Sequence, residues 1–250
     1  MQRVVLCIVA LLAFASCDRS SVRHFLHRLK TKPRTQMDSV TPVMKDQDRH
    51  QQFLDRIKQG EIDVLFLGDS ITDYWPRDGQ ESWVRFADYK PANFGVSGDR
   101  TEHLLWRINN GELDGIDPKV VVLLIGTNNI GNFEDERPDW IAAGINQVVS
   151  TVREHLPHAK VILLGIFPRD GKESPQRKAV GEVNAQLRTL NDGDKVHFLD
   201  IGEGFLDAEG NIQSDLMPDQ LHLSAKGYEM WFEKTEPLLR ELWPGKIDKD

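Results

Sequence analysis

The strongest restriction on the fold comes from four short, uninterrupted apolar runs: VLFLG (64–68), VVVLLIG (120–126), KVILLGI (160–166) and VHFLDI (196–201). Apolar runs this short, without alternation, read as strands covered on both faces, which is the condition of a parallel sheet. Ile141, Ile145, Val148, Val149, Val152 and Leu156 recur at helical spacing before the third run, and Val180, Val183, Leu187 and Leu190 before the fourth. A weaker strand is expected over 89–94. A helix is expected over 46–58, with Phe53, Leu54 and Ile57 on one face and Gly60 as its stop. Strands that alternate with helices require right-handed crossovers and helices on both faces of the sheet. The strands are too few for a closed eight-stranded barrel. The expected fold class is therefore α/β, a three-layer α/β/α sandwich of about five strands. With 250 residues and 40% hydrophobic content, one core suffices, and no internal repeat asks for a second domain. A formal charge of −8 with acids and bases intermixed leaves no basic face for nucleic acid.

The chain begins MQRVVLCIVALLAFASC, a basic residue and an apolar stretch followed by small residues, which is a signal-peptide pattern too short for a transmembrane helix. Phe14, Ala15, Ser16 and Cys17 resemble a bacterial lipobox, in which the cysteine is acylated after cleavage, although leucine is more usual at the first position. Cys7 lies in the segment to be removed, so Cys17 has no disulfide partner in an exported chain, and a lipid thioether resolves the unpaired thiol. Export to a bacterial cell envelope as a lipoprotein anchored through Cys17 is expected, with periplasmic or ordinary secretion as the alternative. A basic polar tether is assigned to 18–44. Its run of Arg19, Arg23, Arg28, Lys30, Lys32 and Arg34 opposes translocation. The folded domain is placed at 45–243 and a polar tail at 244–250.

The first apolar run breaks into GDSIT, putting Ser70 at the carboxyl end of a strand, where open α/β sheets bind their ligands. A helix cap made by Asp69, Ser70 or Thr72 is the structural alternative. A serine nucleophile needs a base, a group that orients the base, and donors for the oxyanion. Of eight histidines, His222 stands apart, because Asp219 precedes it by three residues in PDQLH, on a loop before a helix capped by Ser224. Such a loop can turn Asp219 back onto His222 Nδ1 and leave Nε2 free. Two further loops fall at the same sheet edge: NFGVSG, with Asn93, Gly95 and Gly98, and GTNN, with Asn128. Glycine permits close backbone approach, and asparagine supplies an uncharged donor. Each alone reads equally well as a turn residue.

Together these blocks resemble the SGNH, or GDSL-type, hydrolase family, and within it the branch of platelet-activating-factor acetylhydrolase catalytic subunits, over about residues 45–243. GDSIT matches the serine block, NFGVSG with Gly95 the glycine block, GTNN with Asn128 the asparagine block, and PDQLH the Asp219 and His222 block. The resemblance implies a flavodoxin-like sheet of five parallel strands and a serine esterase that uses no metal or other cofactor. Ser70, Asp219 and His222 would form its triad, and Ser70, Gly95 and Asn128 its oxyanion hole. The expected substrate is a small-molecule carboxylic ester, with acetyl or a short acyl group on a carbohydrate or lipid alcohol. Lysophospholipase or thioesterase activity at the same site is one alternative, and a binding module without turnover is another. Tyr74, Trp75, Phe167 and Arg169 follow strand ends and read either as substrate-pocket lining or as packing. No phosphate-binding glycine loop and no zinc-ligand spacing accompanies them.

Overall fold

Alternate residues of the apolar runs serve two different cores, one on each face of a single sheet. The computed structural model describes residues 33–133 and 135–244. The signal-peptide pattern, Cys17 and most of the expected tether lie outside the described residues, as does the tail from 245. Strands β1 (Val64–Gly68), β2 (Pro91–Gly95), β3 (Val120–Leu124), β4 (Lys160–Leu164) and β5 (Val196–Leu199) pair in parallel in the order β2-β1-β3-β4-β5. That is the doubly wound order with a switch point between β1 and β3.

Helices α1 (Gln36–Val40) and α2 (Gln47–Ile57) precede β1. Three short helices, α3 (Ser70–Asp73), α4 (Trp75–Asp78) and α5 (Gln80–Trp83), lie between β1 and β2. Then come α6 (Thr101–Arg107), α7 (Thr127–Asn132), α8 (Pro138–His155), α9 (Pro175–Leu187) and, last, α10 (Ala225–Leu242). Leu65, Leu67, Val121, Leu123 and Leu163 pack with Phe53, Leu104, Ile145, Val148 and Val183 on one face. Val64, Phe66, Val122 and Ile162 pack with Trp75, Phe86, Tyr228 and Trp231 on the other. Burial on both faces is why these runs show no alternation. The weak strand runs from Pro91 to Gly95, slightly later than expected. As the first residue of an edge strand, Pro91 forfeits no ladder hydrogen bond.

The domain boundary expected at residue 45 falls too late. The packed unit starts at Thr35, and Ser39 of α1 is fully buried. Ser39 Oγ donates to Glu136 Oε1 at 2.6 Å, and its carbonyl accepts from Thr101 Oγ1 at 2.8 Å. A Cβ at Gly144 of α8 would stand 2.7 Å from that carbonyl oxygen. This segment is held by hydrogen bonds rather than by an apolar stripe, so hydropathy did not mark it.

Candidate active site

The carboxyl ends of β1, β2 and β3 and the loop before α10 converge at one edge of the sheet. Asp69 follows β1 and caps α3, its Oδ1 accepting from Ile71 N at 3.0 Å. Ser70 is thereby the first residue of α3, a position whose N–H has no partner within the helix. Two contacts fix this short helix: Tyr228 Oη donates to the Ile71 carbonyl at 2.8 Å, and Asn93 Nδ2 donates to the Thr72 carbonyl at 2.6 Å.

From the other side, Ser224 caps α10 by accepting from Gly227 N, as the sequence suggested, and the preceding loop folds back tightly. Asp219 Oδ1 accepts from the N–H groups of Leu221 (3.0 Å) and His222 (2.6 Å), while Oδ2 lies 2.7 Å from His222 Nδ1. Gln220 between them takes a positive φ of 61°. Partial burial raises the Asp219 carboxyl, but the hydrogen bonds from His222 and the backbone outweigh it and leave the group below the usual carboxylate range. His222 Nε2 then stands 3.0 Å from Ser70 Oγ. A serine hydroxyl, an imidazole and an ionised carboxylate in this sequence of contacts can pass the serine proton to the imidazole.

On the β3 side, Asn128 is the second residue of α7, and its Nδ2 donates to the Asp99 carbonyl at 2.9 Å. The glycine expected as an oxyanion donor, Gly95, does not suit that role. It is buried, its N–H is already given to Asn93 Oδ1 at 2.9 Å, and a Cβ on it would lie 2.3 Å from Asp73 N. Gly95 is a glycine because β2 and α3 touch there. Three residues later Gly98 is half-buried with φ +76°, beside the Asp99 carbonyl that holds Asn128.

The four residues expected to line a substrate pocket separate in the structure. Tyr74 sits at the site: its ring centroid is 5.3 Å from that of His222, and its Oη is 2.9 Å from Ser97 Oγ. Trp75 and Phe167 belong to the core instead. Trp75 is fully buried, stacks on Trp231 at 4.1 Å and donates its Nε1 to Ser82 Oγ at 2.9 Å, and Phe167 packs against Phe205 at 4.8 Å. Arg169 is largely buried and acts as a brace, its Nη1 donating to the Thr127 carbonyl at 2.7 Å directly before Asn128. Among the described residues no group of three or more His, Cys, Asp or Glu side chains is placed to hold a metal ion.

Sequence reasoning passed over Asp99 and Arg107. Arg107 interrupts the apolar stripe of Leu104, Leu105 and Ile108, and a charge on such a stripe is the signal of a buried ion pair.

Residues 66–230 match the GDSL-like Lipase/Acylhydrolase family. The chain is 38% identical over 196 residues to the platelet-activating factor acetylhydrolase IB subunit alpha2 of Rattus norvegicus, covering 78% of this chain and 83% of that one. Its fold is shared with a GDSL-like lipase from Bacteroides thetaiotaomicron (TM-score 0.65, 18% identity, 77% of this chain and 97% of that one). It is shared as well with a carbohydrate acetylesterase from Sinorhizobium meliloti (TM-score 0.57, 19% identity, 72% and 99%).

Proposed function

The chain belongs to the GDSL-like lipase/acylhydrolase family and is a carboxylic-ester hydrolase of the SGNH type, and from that premise we propose that it removes acetyl or similarly short acyl groups through Ser70. The observation that carries the reading is the continuous contact from Ser70 Oγ through His222 to Asp219. His222 Nε2 accepts the serine proton as Oγ attacks the ester carbonyl. The imidazolium, steadied by Asp219, then gives that proton to the leaving alcohol. In the second half His222 activates water, which attacks the acyl-serine and releases the acid.

Negative charge on the carbonyl oxygen needs donors that are in place before the reaction. We assign these to the N–H groups of Ser70 and Gly98 and to Asn128 Nδ2. A primary amide carries two N–H bonds, so Asn128 can give one to Asp99 and keep the other for the oxyanion.

Two facts favour a short acyl group. Trp75 and Phe167, two large side chains that could have lined an apolar channel, are spent in the core, and a relative of high coverage is named as an acetylhydrolase. The alcohol is proposed to be a carbohydrate or a lipid. In a p-nitrophenyl ester series, kcat/KM should be highest for acetate and fall with each added pair of methylenes, and Ser70→Ala should abolish release. A maximum at octanoate or longer would overturn the short-acyl reading in favour of a lysophospholipase-like one. For location, we propose a lipid-anchored envelope protein on the strength of Phe14, Ala15, Ser16 and Cys17. Mass spectrometry of the N-terminal peptide finding no acyl group on Cys17 would end that idea.

A further inference from the structure

Three charged side chains outside the triad, Asp99, Arg107 and Glu112, are 3% exposed or less. Arg107 gives Nε to Asp99 Oδ2 at 2.8 Å, Nη2 to the Phe94 carbonyl at 3.1 Å, and Nη1 to Glu112 Oε2. Glu112 is held in turn by His50, whose Nδ1 is 2.8 Å away. The second oxygen of Asp99 lies 3.2 Å from Lys45 Nζ, which also bonds the Ser97 carbonyl. The turn bearing Gly98 is therefore clamped on both carboxylate oxygens of Asp99 and on the carbonyl ahead of the glycine. The Asp99 carbonyl is the acceptor that sets Asn128 Nδ2.

Burial pushes the Asp99 carboxyl upward, and the Arg107 and Lys45 charges oppose the rise. Such buried ion clusters contribute little stability compared with an apolar filling of the same space, so their use calls for another reason. Position supplies it. Oxyanion donors must be held to within about 0.5 Å, and a misplacement of about 1 Å can cost roughly 10²-fold in rate.

We propose that Arg107 is a positioning residue for ester hydrolysis: by locking Asp99 it fixes the carbonyl that orients Asn128 Nδ2. This rests on the reading of Asn128 as an oxyanion donor. Lysine cannot reproduce the forked contacts of arginine, so Arg107→Lys keeps the charge and loses the geometry.

The test is a double-mutant cycle on the full chain with p-nitrophenyl acetate, using Arg107→Lys, Asn128→Ala and the pair. Asn128→Ala alone should lower kcat by about 10² to 10³ with KM nearly unchanged. Arg107→Lys should lower kcat by about 10-fold or more, again with little change in KM. If Arg107 acts through Asn128, the double variant will be close to Asn128→Ala alone, because coupled residues are not additive. Multiplying losses, or a lowered melting temperature with normal kcat in Arg107→Lys, would overturn the proposal and leave the role of Asn128 intact. Normal kcat in Asn128→Ala would remove the oxyanion reading and this proposal with it. Should Arg107→Lys not fold, Lys45→Met enters the same cycle from the half-exposed end of the clamp and is judged by the same two outcomes.

Discussion

Asp219 makes three contacts with the second and third residues after it, and this is what a triad carboxylate built from so short a loop requires. Bonds to the backbone N–H groups of Leu221 and His222 occupy Oδ1, so Oδ2 has one direction left, toward His222 Nδ1. Because the folded-state pKa of Asp219 is depressed, its carboxylate stays ionised to lower pH than an ordinary one. Protonation of His222 removes the base, so kcat/KM should fall on the acid side. Asp219→Asn should lower kcat by up to about 10⁴ through loss of tautomer control, while the acyl-enzyme still forms slowly on Ser70. An unchanged rate in that variant would argue that Asp219 only shapes the loop.

At the scale of elements, α3 is too short to hold itself and is positioned by its neighbours. Tyr228 from α10 and Asn93 from β2 each take one of its carbonyls, and Gly95 allows β2 to approach its backbone. Gly95→Ala retains the N–H of residue 95 but pushes its Cβ against Asp73 N, displacing Ser70 from His222. We expect a stability loss of about 1–3 kcal/mol from overpacking, together with a fall in kcat. Urea melts and p-nitrophenyl acetate kinetics on the same preparation check both. Near-normal values of each would show that the contact relaxes without moving the serine.

At the scale of the whole molecule, the environment of Asp69 ties stability to pH. Asp69 is fully buried at the end of β1, and burial pushes its carboxyl up to about 7, against the opposing Ile71 N–H and with a further rise from Asp99. With the folded-state value above the unfolded one, this group's contribution to stability is fully present below about pH 4. It is lost as pH rises toward 7, where the unfolded chain has released the proton and the folded one must follow. The loss is on the order of 4 kcal/mol at most. Asp69→Asn, which keeps the acceptor for Ile71 N, should flatten this part of the curve of unfolding free energy against pH. Equal slopes between pH 4 and 7 in both proteins would show that Asp69 ionises in the fold without penalty. Chelators should leave both activity and stability unchanged.

The layered α/β architecture could be read in the chain because its cause is local. An unbroken apolar run is buried on both faces, and helical spacing of Ile141, Ile145 and Val148 needs only its own neighbourhood to declare itself. Ser70, Asn128, Asp219 and His222 were legible for a related reason: each stands at a strand end or within one tight loop, and the structure draws them to one edge. What tertiary structure decided were questions of competition between distant groups. Gly95 was the expected donor until Asn93 was seen to occupy its N–H. Trp75 and Phe167 read equally as pocket walls or as packing until Trp231 and Phe205 were found against them. Ser39 looked like tether until Glu136 was found to claim its hydroxyl. A run of residues shows what each group can offer. Which of its rivals accepts the offer is settled only when the chain has closed, because a hydrogen bond or a packing contact given to one partner is withheld from every other.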